Sequence, residues 1–256
     1  MIITKTLFVI LQPFYYFIHL NCKSVIMQKI SVFLIAIIFV HFLTTCTDPD
    51  PLKLPTDITF TMDINREENS QQNLVFTKGI IILASFDFEG ERELGEDIYF
   101  SKSFPSGLNV IFDETNAIAE LDFDIPQGVY NRISIAFETF DDFEQNCLVV
   151  EGVFTNTEDV KTPVKFEFNS SEYFEIVAED YSGNNQIVLN TNVSVTAKIV
   201  LDPIYWFQTV NYSMLEDAEL TTISGKPTIL VNENTNTNMF ELIVGRIDES
   251  TECIFN

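Results

Sequence analysis

A mainly β fold is what this 256-residue sequence predicts: an antiparallel β-sandwich with a short C-terminal helix, preceded by an apolar leader. Three observations predict it. Apolar and polar residues alternate with period two over several stretches, as in strands with one buried and one wet face. Proline, glycine and asparagine punctuate those stretches at short intervals. Finally, acidic residues begin abruptly: residues 1–46 contain no Asp or Glu, so all 38 lie beyond them.

The alternation is explicit at several places. Leu121, Phe123 and Ile125 are interleaved with Glu120, Asp122 and Asp124, and Ile133, Ile135 and Phe137 with Arg132, Ser134 and Glu138. Val164, Phe166 and Phe168 flank Lys165 and Glu167, and the longest alternating run covers 187–201. Further strands are expected over 58–62, 75–86, 98–102, 108–112 and 148–154, roughly nine in all. Near the end, Asn236-Thr237-Asn238 can cap a helix over 239–247, with Phe240, Ile243, Val244 and Ile247 on one face. Trp206 and Phe207 read as a hydrophobic plug against the same core. About 200 residues are enough to bury such a core.

Charge narrows the partners. With 38 acidic against 14 basic residues the formal net charge is −24. That field repels nucleic acid and anionic headgroups, and attracts divalent cations and basic surfaces without selectivity. The richness in Phe, Ile, Val and Leu argues against charge-driven disorder.

The first segment has a different purpose. Met27-Gln28-Lys29 forms a short basic region and 30–43 an apolar one. Such a run is shorter than the roughly 17 to 25 residues of a membrane-spanning helix, and it suits a secretory signal. It runs into Leu43-Thr44-Thr45-Cys46, which resembles a bacterial lipoprotein lipobox, with Thr45 where Gly, Ala or Ser is usual. The resemblance implies lipidation of Cys46 as the first mature residue, and two or three acyl chains anchor stably where one is marginal. The polar stretch Thr47-Asp48-Pro49-Asp50-Pro51 reads as a non-helical tether, and its acidic residues resemble the surface-export signals of Bacteroidetes-type lipoproteins. The expected organisation is therefore a leader over 1–45, the cysteine and tether over 46–56, and an acidic domain over 57–256. A start at Met27, with 1–26 an artefact of start-site assignment, is weighed against a double leader.

Pro126-Gln127-Gly128-Val129-Tyr130 sits between two alternating stretches. A strand, this turn and a second strand resemble transthyretin-like (prealbumin-like) domains of bacterial surface lipoproteins, in which the element starts a strand and carries no chemistry. Cys147 and Cys253 are the only cysteines beyond Cys46. In an oxidising compartment they would form a disulfide, and the alternative is two separate buried thiols. Triplets of the form Asn-x-Ser at Asn169, Asn192 and Asn211 carry no meaning outside a eukaryotic secretory pathway.

Both histidines, His19 and His41, fall in the leader. That removes Ser-His-Asp and Cys-His catalysis and the usual histidine-containing zinc sites from the domain. No phosphate-binding glycine loop or nucleophile elbow is present. No catalytic residue is therefore nominated, and no cofactor beyond Ca2+ is expected. For that ion, Asp87, Glu89, Glu91, Glu96 and Asp97 gather hard oxygen ligands around Gly90 and Gly95, and Asp141, Asp142 and Glu144 form a second, similar cluster. A solvated turn is the competing reading of each cluster. The expectation is a non-enzymatic outer-membrane lipoprotein, at the cell surface or the periplasmic face, that binds a protein or glycan partner. Two alternatives stand beside it: a carbohydrate-active enzyme using two carboxylates, and an adhesin or fimbrial-type subunit that accepts a donor strand.

Overall fold

The computed structural model describes residues 51–68, 73–112, 117–141 and 145–256. Cys46, the leader, most of the tether, and Asp142 and Glu144 lie outside the described residues. Residues from Pro51 onward form one compact unit, and none of its helices is long and apolar enough to cross a membrane.

The unit is mainly β, with curled sheets and a short helix. In chain order its strands are β1 (Ile58–Ile64), β2 (Leu74–Arg92), β3 (Ile98–Ile111), β4 (Gly128–Thr139), β5 (Leu148–Thr155), β6 (Lys161–Phe168) and β7 (Tyr173–Val177). They continue with β8 (Glu179–Asp180), β9 (Ile187–Leu189), β10 (Val195–Leu201), β11 (Leu220–Ile223), β12 (Lys226–Val231) and β13 (Glu252–Phe255). Three helices follow β10: α1 (Pro203–Trp206), α2 (Tyr212–Glu216) and α3 (Thr237–Val244).

The 19-residue strand β2 is the spine of a nine-stranded sheet. Its second half pairs with β4 and its first half with β5, so β4 and β5 follow one another along β2. Outside them, β7 pairs with β4 and β6 with β5, while β3 pairs with β2 and β9 with β4. Register shifts at Leu83/Ser85 and Phe76/Lys78 bend the spine, as bulges do. At one of these bends the strands approach so closely that a side chain at Gly152 would start 2.2 Å from the Val75 carbonyl oxygen. The four-stranded sheet has the order β1-β10-β13-β8.

Pairing is mixed rather than antiparallel throughout. β1 with β10, β12 with β6 and β13 with β8 run parallel. Each parallel pair joins segments far apart in sequence, as a crossover requires. The chain between β10 and β11 carries the plug: Asp202 accepts from the backbone N–H of Ile204 and Tyr205, both at 3.1 Å, and starts α1. That turn drives Trp206 and Phe207 inward, where both are fully buried. Phe207 lies against Phe76 and Phe166, and Phe166 also meets Trp206. At the other end Phe60 of β1 meets Phe86 and Phe88 of β2 edge-on.

Four expectations are corrected. The alternation over 120–125 forms no strand: Ala119–Leu121 is a 3-10 turn, and Leu121 N–H bonds the carbonyl of Ile118 at 2.9 Å. Leu121 and Ile125 are buried and Phe123 stacks on Phe100, so the pattern reports which side is wet and not who the backbone partner is. The run over 187–201 breaks at the turn of residues 191–193 into β9 and β10, which join different sheets. The strands expected at 98–102 and 108–112 are one strand, β3. Finally, the fold starts before residue 57. Pro51–Lys53 is a 3-10 turn, and both the backbone N–H and the hydroxyl of Thr56 donate to the Ile125 carbonyl.

The two cysteines are buried and stand as free thiols in this structure. Cys147 lies just before β5 and its thiol donates to the Ser170 carbonyl at 3.1 Å. Cys253 sits in β13, opposite Ile199 of β10. The expected C-terminal helix is present but spans Thr237–Val244 rather than 239–247. Asn236 adopts a left-handed conformation, with its side chain donating to the Glu219 and Leu230 carbonyls instead of capping the helix.

The Pro126–Tyr130 turn is a fixed corner. The Tyr130 hydroxyl donates to the Pro126 carbonyl at 2.6 Å, and its ring fills the space that a side chain at Gly90 would occupy. Tyr130→Phe keeps the ring and removes that bond. The expected loss is about 1 kcal/mol in urea unfolding, the net worth of one such hydrogen bond. An unchanged midpoint would mean that the ring alone sets the corner.

Candidate functional site

Register decides which side chains share the outer face of β3, β2, β4 and β7. Glu89 lies opposite Tyr99 on one side and Ser134 on the other. Asp87 lies opposite Ala136, which lies opposite Glu175. Ser85 lies opposite Glu138, which in turn faces Tyr173. The alternate residues Phe86, Phe88, Ile135, Phe137 and Phe174 point into the core and fix this register, because a slip by one residue would expose them.

Small residues sink the middle of this face. Ser134 and Ala136 form the floor of a groove of about 110 Å3, walled by Asp87, Glu89 and Glu175 and flanked by Tyr99 and Tyr173. Tyr99 is 66% exposed and Tyr173 52% exposed, high values for aromatic residues in a β-rich fold that buries most of its Phe. The Tyr99 hydroxyl donates to Asp87 at 3.3 Å, and the Ser171 hydroxyl donates to Glu138 at 2.5 Å. Partial burial pushes the Tyr173 phenol above its ordinary pKa, and the charges of Glu175, Asp87, Tyr99 and Glu138 push it the same way. These groups therefore share one electrostatic field.

The five residues expected to hold Ca2+ separate into different surroundings. Asp87 and Glu89 line the groove, whereas Glu91 pairs with Arg132 at 3.6 Å. Asp97 accepts from the Arg92 backbone N–H at 3.1 Å, in the turn where Glu96 stands exposed. Among the described residues no three carboxylates, thiols or imidazoles converge as metal ligands. Sequence reasoning missed Tyr99, Ser134, Tyr173 and Glu175. The legible signal was an aromatic residue on the polar phase of an alternating stretch, as at Tyr173 and Tyr99.

A second opening of about 300 Å3 borders the Pro126–Tyr130 turn, lined by Leu52, Leu94, Val129 and Val188 among others. Its walls are mostly aliphatic, with Glu93 the single charged side chain among them. The carboxylate that burial, and then Asp248, push up in pKa is Glu172, which is not part of the groove. No family model, curated protein or solved structure matches the chain, so function is read from the groove itself.

Proposed function

We propose that this chain is a non-enzymatic, lipid-anchored protein of the outer membrane, held through Cys46, whose domain offers one sheet face to a protein or glycan partner. The two curled sheets are read as a sandwich, supported by Phe60 of one sheet packing on Phe86 and Phe88 of the other. The observation that carries the binding reading is the pair of exposed tyrosines flanking a groove of carboxylates on a rigid sheet. Aromatic rings with a polar tip supply contact area at low entropic cost, which is why they recur at binding surfaces.

The test uses the full chain in lipid nanodiscs, applied to arrays of oligosaccharides and peptides. Tyr99→Ala with Tyr173→Ala is expected to weaken whatever binding is found by about tenfold or more, the scale at which exposed aromatic anchors act. The unfolding midpoint should stay within about 1 kcal/mol of the parent, as for other surface substitutions. Undiminished binding by the double variant would sink this face as the site. The anchor is tested separately by intact mass of the protein from its native membranes, where the expected chain begins at acylated Cys46.

A further inference from the structure

We propose that the groove recognises a cationic group, the guanidinium or ammonium of a basic side chain on a protein partner. The inference rests on the reading of this face as the binding face and names the chemistry that it takes.

Charge is the first argument. Asp87, Glu89, Glu138 and Glu175 crowd one patch of sheet, and none is ion-paired to Lys or Arg among the described residues. Arg132, on the same face of β4, is engaged by Glu91. Like charges on neighbouring strands repel, so the groove is a region of unrelieved negative potential. A neutral sugar would leave that repulsion in place, whereas a cation removes it.

Ser134 is the second and independent argument. It is only 8% exposed, it lines the floor of the groove, and its hydroxyl has no hydrogen-bond partner among the described residues. The hydroxyl is not sealed from solvent: it opens onto the groove, where a ligand donor would take the place of water. Its oxygen can accept an N–H that the surrounding carboxylates do not take.

Size and rings agree with the same ligand. A groove of about 110 Å3 admits a small polar head. Tyr99 and Tyr173 can cover the flanks of a cation with their ring faces, an interaction worth about 0.5 to 1 kcal/mol at exposed sites. The carboxylates do not converge as a metal site would, and a planar guanidinium suits more widely spaced acceptors. The strongly acidic domain as a whole would steer a basic partner toward this face.

The same acidity binds any polycation without specificity, so the test uses single charges. The full chain in zwitterionic nanodiscs is titrated with N-acetyl-arginine amide, N-acetyl-lysine amide and the neutral N-acetyl-glutamine amide. Salt is kept at about 0.15 M, where screening acts beyond roughly 8 Å. The expected result is that the arginine probe moves the amide resonances of Tyr99, Ser134, Ala136 and Tyr173, and that the glutamine probe does not. Asp87→Asn with Glu175→Gln is expected to weaken binding by about tenfold or more, as loss of charge-assisted hydrogen bonds does. Glu158→Gln with Asp159→Asn removes the same charge from an exposed turn and is expected to leave binding unchanged. Ser134→Ala should weaken binding without moving the unfolding midpoint. Equal losses in both double variants, or shifts scattered over the acidic surface, would overturn the proposal. If a neutral oligosaccharide moves the groove resonances and the arginine probe does not, the ligand class is wrong and the binding face stands. If the groove is silent to every probe while the arrays show binding elsewhere, both readings fall.

Discussion

Between pH 9 and pH 11 the folded domain is expected to lose about 3 kcal/mol of stability, most of it through one thiol. Cys253 is 2% exposed, and burial pushes its pKa from 9.0 up to about 12. The unfolded chain releases that proton from pH 9 upward and the folded chain does not. Over this window the unfolded state therefore binds fewer protons, and stability falls as pH rises. The contribution is fully present below pH 9 and is lost progressively toward pH 12, at about 1.4 kcal/mol per pH unit. Cys147 adds in the same direction, chiefly because burial raises its pKa as well. Tyr130, pushed up by burial from 10.0 to about 12, steepens the loss above pH 10. Urea unfolding across this range checks the slope, and Cys253→Ala should flatten it. The same profile decides the state of the cysteines. Were Cys147 bonded to Cys253 neither sulfur would titrate, and a flat curve from pH 8 to pH 10 that turns steep on adding reductant would establish the disulfide.

What was legible in the sequence follows from what each signal measures. Strands β1, β4, β5 and β6 stand where alternation placed them, because each is long enough for several side chains to vote on one face. The same signal misled at 120–125, where Leu121 and Ile125 are buried with no ladder behind them. At 187–201 the apolar alternation runs on through a turn where Val193 is exposed, and burial resumes on the same phase only in β10. Strands such as β8 and β13 were invisible since two or four residues carry too little pattern, and their pairing is with distant strands. The groove shows the same limit. Asp87 and Glu89 were singled out for being acidic, and their sequence neighbours Glu96 and Asp97 were grouped with them. In space their companions are Tyr99, Ser134, Tyr173 and Glu175, which cross-strand register brings from three other strands. Register is set by buried Phe and Ile residues that never touch the groove, so the composition of the site is a consequence of the core.

Asp63→Ala is expected to destabilise the domain by about 3 to 5 kcal/mol, the cost of breaking a buried ion pair by removing one partner. Asp63 is 1% exposed at the end of β1, and its carboxylate meets both Arg66 and Lys198, the latter at 3.3 Å. Lys198 stands on β10, the parallel neighbour of β1. Arg66 also donates to the Thr77 carbonyl of β2 at 3.2 Å and to the Phe112 carbonyl just after β3 at 3.3 Å. One carboxylate thus holds Arg66, which ties the small sheet to the large one, and Lys198 of the neighbouring strand. Without it, the two half-buried cations lose the carboxylate that they share, and both of these ion pairs go at once. Exposed pairs behave differently: Lys78 with Glu151, at 69% and 38% exposure, is held in water, and Lys78→Ala should change stability by less than about 1 kcal/mol. Urea unfolding of the two variants side by side separates the cases. A loss below about 1 kcal/mol for Asp63→Ala would mean that water reaches the triad and screens the two cations.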